Sequence, residues 1–320
     1  MTKYEDESLK DELLRPLFGV QGLVAVITGG GTGIGKMAAH ALLAGGAKAV
    51  YILGRRAEAL QACRDSSPRS EAIFPIICDV TSKKSLQDAC DQVKREIGYC
   101  DLLFANAGVP EIPSKILDRS SVKTIQEGLS GLEMDSYEQI YRINTLGAFQ
   151  TAVSFLQLLE EGNKRAEVPQ KSQILLTSSV TGKTSASYGT FGYAASKAAL
   201  NVLANQLAGI LLPHKIRVNV LVAGIYSSEM TDGMLKMTCK SDPTVEGALD
   251  SSCIPLERIG SPEDMIGLIL FLASKAGGYI SGAELVTDGG MLSMPPSWAT
   301  PTPPVHRGVR ILNGIEDNHL

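Results

Sequence analysis

From Leu23 onward, short aliphatic runs alternate with longer segments whose apolar residues recur at helical spacing. The runs are "LVAVI" (23–27), "AVYIL" (49–53), "AIFPII" (72–77), "LLFA" (102–105), "QILLT" (173–177), "IRVNVLVA" (216–223) and "AELVT" (283–287). Continuous apolar runs of this length suit strands buried on both faces, and such strands are typical of parallel sheets covered by helices. Between them "GIGKMAAHALLAGGA", "KKSLQDACDQVKREIG", "SYEQIYRINTLGAFQTAVSFLQLLEEG", "YAASKAALNVLANQLAGILL" and "PEDMIGLILFLAS" carry helical periodicity. Ser261 followed by Pro262 marks a helix start. The pattern predicts an α/β fold: a Rossmann-like, doubly wound sheet of seven parallel strands with helices on both faces.

No linker interrupts the alternation, so one catalytic domain is expected over 23–292. It is preceded by a polar extension (1–22) and followed by a proline-rich tail (293–320). The stretch 110–135 reads as a long connection, a common setting for a substrate-side loop.

Composition narrows the function by exclusion. The 320 residues are 44% hydrophobic and 20% charged, with a formal net charge of −4, which disfavours a nucleic-acid partner. The charged N-terminus lacks the apolar core of a signal peptide, and no run reaches membrane-span length, so a soluble, cytoplasmic protein is expected. Six cysteines and four histidines are scattered without metal-ligand spacing, and no metal site is expected.

Candidate chemistry begins in "VITGGGTGIGKMAAH", where a glycine-rich turn joins the first strand to the first helix. Gly29, Gly33 and Gly35 allow a tight turn and close backbone approach, so that amide N–H groups and the helix N-terminus can meet a pyrophosphate. The spacing T-G-x-x-x-G-x-G differs from the G-x-G-x-x-G fingerprint. It resembles that of the single-domain short-chain dehydrogenases/reductases, while "GIYSSEMT", "PLERIGSPEDM" and the following "LFLAS…DGG" most resemble fungal members of that family. Further motifs of that family follow in order: "CDV" (78–80), "NAG" (106–108), Asn144 in "RINTLGAF", "SSVTG" (178–182), "YAASK" (193–197), "AGIYSSEMT" (223–231) and "DGG" (288–290).

The second strand ends in Gly54-Arg55-Arg56, where an acidic residue would otherwise contact a ribose 2′-hydroxyl. Arg55 can engage a 2′-phosphate as a forked donor, which points to NADP(H), although Glu58 lies close enough to reach a ribose. The resemblance implies a cofactor cleft formed by Thr28, Gly29, Gly31, Thr32, Gly33, Ile34, Gly35, Gly54, Arg55, Arg56, Asp79, Val80, Asn106, Ala107, Gly108, Gly224, Ile225 and Thr231. Within it, Asp79 would bind the adenine and Thr231 the nicotinamide carboxamide.

It also implies Tyr193 as general acid/base, Lys197 as the residue that lowers its pKa and holds the nicotinamide ribose, Ser179 as the hydroxyl polarising a substrate carbonyl, and Asn144 as the anchor of a relay water. A phenol titrates near 10, so a cation one helical turn away is chemically useful. Tyr188 competes with Tyr193 but has Gly192 four residues on, and Ser178 competes with Ser179. Two departures stand out: the Ser179–Tyr193 gap is one residue longer than usual, and Ala223-Gly224 replaces Pro-Gly. The segment 225–253 matches the family's mobile substrate cover.

The activity implied is NADPH-dependent reduction of a ketone, reversible, on a small-molecule carbonyl or alcohol, in a homodimer or homotetramer. A bulky ketone of secondary metabolism is one candidate substrate. A 3-oxoacyl-thioester reductase shares these motifs, and a catalytically silent NADP(H)-sensing scaffold shares the fold.

Overall fold

The computed structural model describes residues 16–111, 120–130, 133–184, 190–239 and 241–294, without the side chain of Met237. Tyr188, Lys240, the first fifteen residues and residues 295–320 lie outside this set.

Seven strands form one sheet: β1 (Val24–Thr28), β2 (Ala49–Gly54), β3 (Ile73–Ile77), β4 (Leu102–Ala105), β5 (Gln173–Ser179), β6 (Arg217–Ala223) and β7 (Glu284–Thr287). Every pairing is parallel, in the order β3-β2-β1-β4-β5-β6-β7. Each strand lies within two residues of its expected position. The chain starts at β1 in the middle, winds outward to β3, then returns to β4 on the other side of β1. That reversal opens a crevice at the carboxyl ends of β1 and β4, where doubly wound sheets bind ligands.

The first helices are α1 (Gly33–Ala44), α2 (Ala57–Asp65), α3 (Lys83–Glu96) and α4 (Val122–Ser130). They are followed by α5 (Met134–Tyr141), α6 (Ala148–Ser154), α7 (Leu156–Arg165), α8 (Phe191–Leu211), α9 (Glu229–Thr238) and α10 (Pro262–Ala273). One apolar cluster joins one sheet face to α3, α6, α7 and α8, through residues such as Val26, Leu103, Phe155 and Leu200. The other joins the opposite face to α1 and α10 through Ala25, Phe104, Leu42 and Ile269. Strands β1, β4 and β6 are buried along their whole length, which explains their unbroken apolar sequence.

Three differences from the expected elements matter. Helix α4 occupies part of the stretch read as a connection, and α9 part of the expected cover; neither it nor α2 is evident from periodicity alone. The helix expected over 136–162 is interrupted by a π-helical turn at Arg142–Gly147, a distortion frequent at functional sites. Ser261 caps α10 in a reciprocal capping box with Asp264, as its sequence suggested. Among the described residues no helix is long and apolar enough to cross a membrane.

Candidate active site

The crevice is built around the segment Asn106–Glu111, which leaves β4 and touches each neighbouring motif. The backbone N–H groups of Asn106 and Ala107 donate to Thr28 Oγ1 at 3.0 and 3.1 Å. Asn106 Nδ2 donates to Thr28 O (3.2 Å) and Gly29 O (3.4 Å), and its Oδ1 accepts from Thr177 Oγ1 (3.0 Å). Three strand ends are thereby tied together before any ligand is considered.

The glycine loop is shaped by close approach. Gly29 has φ +65, and a Cβ there would lie 3.0 Å from Ala107 Cα. A Cβ on Gly35 would lie 2.2 Å from Gly29 O, so no other residue fits. Gly31 packs on the backbone of Ala59 in α2, and Ile34 packs into the core beneath. Thr32 is the N-cap of α1, yet its side chain caps nothing and the first turn holds no acidic residue. An uncapped helix start behind a glycine-rich loop fits a pyrophosphate.

At the end of β2, Gly54 O accepts from Cys78 N at 2.9 Å, and Arg55 is exposed. Arg56, by contrast, is engaged by Glu229 at the start of α9: Nη2 donates to Oε2 at 2.6 Å and Nη1 to Oε1 at 3.2 Å. Arg55 is therefore the arginine here with no such carboxylate partner among the described residues, and it helps hold Asp79 below the usual carboxylate range. The main cause there is hydrogen bonding from Thr81 N and Oγ1 to Asp79 Oδ1. Val80 packs against the π-turn, where a Cβ on Gly147 would lie 2.9 Å from Val80 Cγ2.

Asn144 is fully buried in that turn. Its Oδ1 accepts from Val109 N (2.8 Å), and Nδ2 donates to Val109 O (3.0 Å) and Ser196 Oγ (3.2 Å). The side chain thus splices the β4 loop to α8, and a Cβ on Gly108 would sit 3.2 Å from Asn144 Oδ1 and 3.6 Å from Lys197 Nζ.

On β5 adjacent serines face opposite ways. Ser178 is buried, its hydroxyl donating to Lys197 O at 3.3 Å. Ser179 faces the crevice, where its Oγ accepts from Thr181 N (3.3 Å) and Thr181 Oγ1 (3.0 Å). Those contacts use acceptor positions and leave the Ser179 proton for Tyr193 or a ligand.

Tyr193 and Lys197 occupy successive turns of α8. Lys197 Nζ is 5.7 Å from the Tyr193 ring centroid and donates to Thr177 O at 2.7 Å. Burial pushes Lys197 down to about 8. The expected lowering of the Tyr193 pKa is not what this geometry produces: burial pushes the phenol up, and hydrogen bonding with Ser179 only partly opposes it. The reason is the loss of water around the phenol, which disfavours its charged form.

Gly224 closes the turn after β6, its N–H donating to Thr287 O at 2.9 Å, and Ile225 O accepts from Gly260 N at 3.0 Å. Thr231 acts in the α9 cap: Oγ1 accepts from Ser228 N (3.0 Å) and donates to Tyr226 O (2.7 Å). Its proton is thus already used.

Residues that sequence reasoning missed are Thr181, Ser196, Thr177, Glu111 and Glu229. Thr181 was the one with a local signal, since a hydroxyl two residues after Ser179 suits a local side-chain turn.

The model of the family described as short chain dehydrogenase matches residues 23–238. Short-chain dehydrogenase/reductase PhomF of Diaporthe leptostromiformis is 41% identical over 283 residues, covering 88% of this chain and 95% of that one. A rhamnolipids biosynthesis 3-oxoacyl-[acyl-carrier-protein] reductase of Pseudomonas aeruginosa is 30% identical over 280 residues, covering 87% and 99%. Among solved structures, the Pseudomonas aeruginosa RhlG/NADP active-site complex superposes with a TM-score of 0.71 at 30% identity, covering 86% of this chain and 98% of that one. The chain belongs to the short-chain dehydrogenase/reductase family and resembles its fungal members; it is an oxidoreductase.

Proposed function

We propose that the protein is a cytoplasmic NADPH-dependent reductase that converts a ketone to a secondary alcohol, reversibly. The observation that carries this reading is the convergence of Ser179, Tyr193 and Lys197 on one crevice beside a glycine turn that packs closely on its neighbours and leads into the uncapped start of α1. The dinucleotide would be held by Gly29 to Gly35, by Asp79 and Val80 at the adenine, by Asn106 to Gly108 beneath it, and by Gly224 and Ile225 at its nicotinamide end. Bound there, the reduced cofactor supplies hydride.

The chain's own groups handle the proton and the charge. Tyr193 donates its phenolic proton to the oxygen that becomes alkoxide, for which a phenol held in its acid form is suited. Ser179, oriented by Thr181, donates to the same oxygen and stabilises the charge developing there. Lys197 retains donors beyond the one given to Thr177 O and offers them to the ribose. Asn144 fixes the π-turn and thereby the position of a relay water.

Arg55 favours NADPH over NADH because it is an exposed cation at the end of β2 that, unlike Arg56, is not engaged by Glu229, and the NADP complex of the similar Pseudomonas protein supports that reading. The substrate is read as a bulky ketone of secondary metabolism. The likeness to a reductase named for a 3-oxoacyl-carrier substrate favours an acyl thioester as the second reading. Leu146, Val153, Val202 and Ile210 expose apolar surface on the π-turn, α6 and α8, which supports pairing with a second copy of the chain.

The test is the loss of NADPH absorbance with a panel of ketones and oxoacyl thioesters. Wild type is expected to turn over at least one class with NADPH in preference to NADH, and Tyr193→Phe to fall by about a thousandfold in kcat. Turnover that survives in Tyr193→Phe would remove the mechanism proposed here.

A further inference from the structure

Helix α8 starts without a local cap. Its N-cap Thr190 makes no side-chain hydrogen bond to the helix, although the first N–H groups of a helix have no intrahelical acceptor. One of those orphan donors belongs to Tyr193, the third residue of the helix. Its N–H donates to Glu111 Oε2 at 2.7 Å.

Glu111 ends the Asn106–Glu111 segment and reaches α8 from 82 residues upstream. The fit at the helix start is tight. A Cβ on Gly192 would lie 2.4 Å from Tyr137 Cδ1 and 3.2 Å from Glu111 Oε2, so the bare glycine lets the ring of α5 and the carboxylate close on the first turn together. The same segment holds Asn144 through Val109. Two of the proposed functional side chains are therefore set from one short stretch after β4.

We infer that Glu111 is a positioning residue for Tyr193, fixing the first turn of α8 so that the phenol stands beside Ser179. The inference rests on the reading of Tyr193 as proton donor. Glu111 meets only the backbone of Tyr193 in this arrangement. The phenol's own hydrogen-bond partner is Ser179, a contact that holds only while the first turn of α8 keeps its place. The ionisable groups around Tyr193 among the described residues are Lys197 on α8, Glu111 from the β4 loop and Tyr137 from α5, while β5 contributes the neutral Ser179 hydroxyl. Of these, Glu111 is the one carboxylate.

The test compares Glu111→Ala and Glu111→Gln in the full chain by two readouts. The first is NADPH-dependent kcat and KM. The second, independent of activity, is the titration of 3-fluorotyrosine placed at position 193, followed by fluorine NMR. Loss of the acceptor in Glu111→Ala is expected to lower kcat by about tenfold to a hundredfold, with KM changed by less than about twofold, because misplacing a reacting group costs rate rather than affinity. Glu111→Gln keeps an acceptor for the Tyr193 N–H and should hold kcat within about threefold of wild type with the midpoint at position 193 unmoved, whereas Glu111→Ala, by drawing the phenol away from Ser179, should raise that midpoint by about half a unit.

An unmoved midpoint in Glu111→Ala, or a KM change without a kcat change there, overturns the inference. If Glu111→Ala does not fold, Glu111→Asp, whose shorter carboxylate withdraws from the Tyr193 N–H, takes its place in both readouts. If wild type turns over no carbonyl, the proposed activity fails, and the midpoint still reports whether Glu111 acts on Tyr193.

Discussion

Two buried cations lie at opposite ends of the same sheet, and they are treated differently. Arg217 opens β6 at the amino end and is 6% exposed; Lys197 stands on α8 at the carboxyl end and is 3% exposed. Arg217 donates through Nε to Lys171 O (3.0 Å) and through Nη1 to Gln173 Oε1 (2.9 Å), Gly277 O (3.1 Å) and Ile280 O (3.2 Å). Lys197 donates to Thr177 O, its one hydrogen-bond acceptor among the described residues. Burial lowers both, to about 10 for Arg217 and about 8 for Lys197. The arginine's donors are spent joining β5, β6 and the chain after α10. The lysine is desolvated at similar cost but keeps donors in hand, which is what a ligand-binding cation needs and a structural one does not.

The comparison breaks first under paired substitution. Lys197→Met is expected to lower kcat by about a thousandfold while melting close to wild type, because it removes a buried charge with few protein partners. Arg217→Met should do the reverse, costing about 3 kcal/mol of stability as several carbonyls lose their donor, with kcat per folded molecule little changed. Thermal melts read by circular dichroism, alongside steady-state kinetics, separate the two. Equal loss of activity and stability in both variants would erase the distinction.

A finer version sits on β5 itself. Ser179→Ala should lower kcat by about a hundredfold, the cost of one oxyanion donor. Ser178→Ala, which loses a 3.3 Å bond to Lys197 O, should stay within about threefold. Steady-state rates at saturating NADPH decide between the two hydroxyls.

The smallest expected effect lies at the amino end. Burial raises Asp101 from 3.8 to about 6, despite the hydrogen bond from Val24 N to its Oδ2. The folded protein takes up this proton before the unfolded chain does, so the group's contribution favours the native state as pH falls from 7 to 5, by about 1 kcal/mol. Asp101→Asn should remove that increment. Urea melts of both proteins at the two pH values test it, and an identical pH dependence would show that Asp101 titrates normally.

Local pattern was enough wherever burial imposes a period. The strands β1, β4 and β6 are legible because both their faces are covered, and the capping box of Ser261 because it spans four residues. The π-turn at Asn144 was not legible, since one extra residue per turn barely disturbs helical spacing over six positions. Helix α4 falls in the stretch that reads as a connection and α9 in the expected cover; α4 carries Val122, Ile125 and Leu129 at helical spacing but buries none of them, so that short stripe marks no packing against the sheet.

What the sequence determined by itself was the doubly wound fold, the glycine turn, and the pairing of Tyr193 with Lys197 one helical turn apart. All of these depend on residues close together in the chain. The tertiary structure alone decided that Arg56 is engaged by Glu229 while Arg55 is not, that Ser179 rather than Ser178 faces the crevice, and that burial raises the Tyr193 phenol instead of the neighbouring lysine lowering it. It also brought Glu111 to the backbone of Tyr193. Each of these depends on which groups meet, and how much water they lose, when segments tens of residues apart pack together, and no local spacing records that.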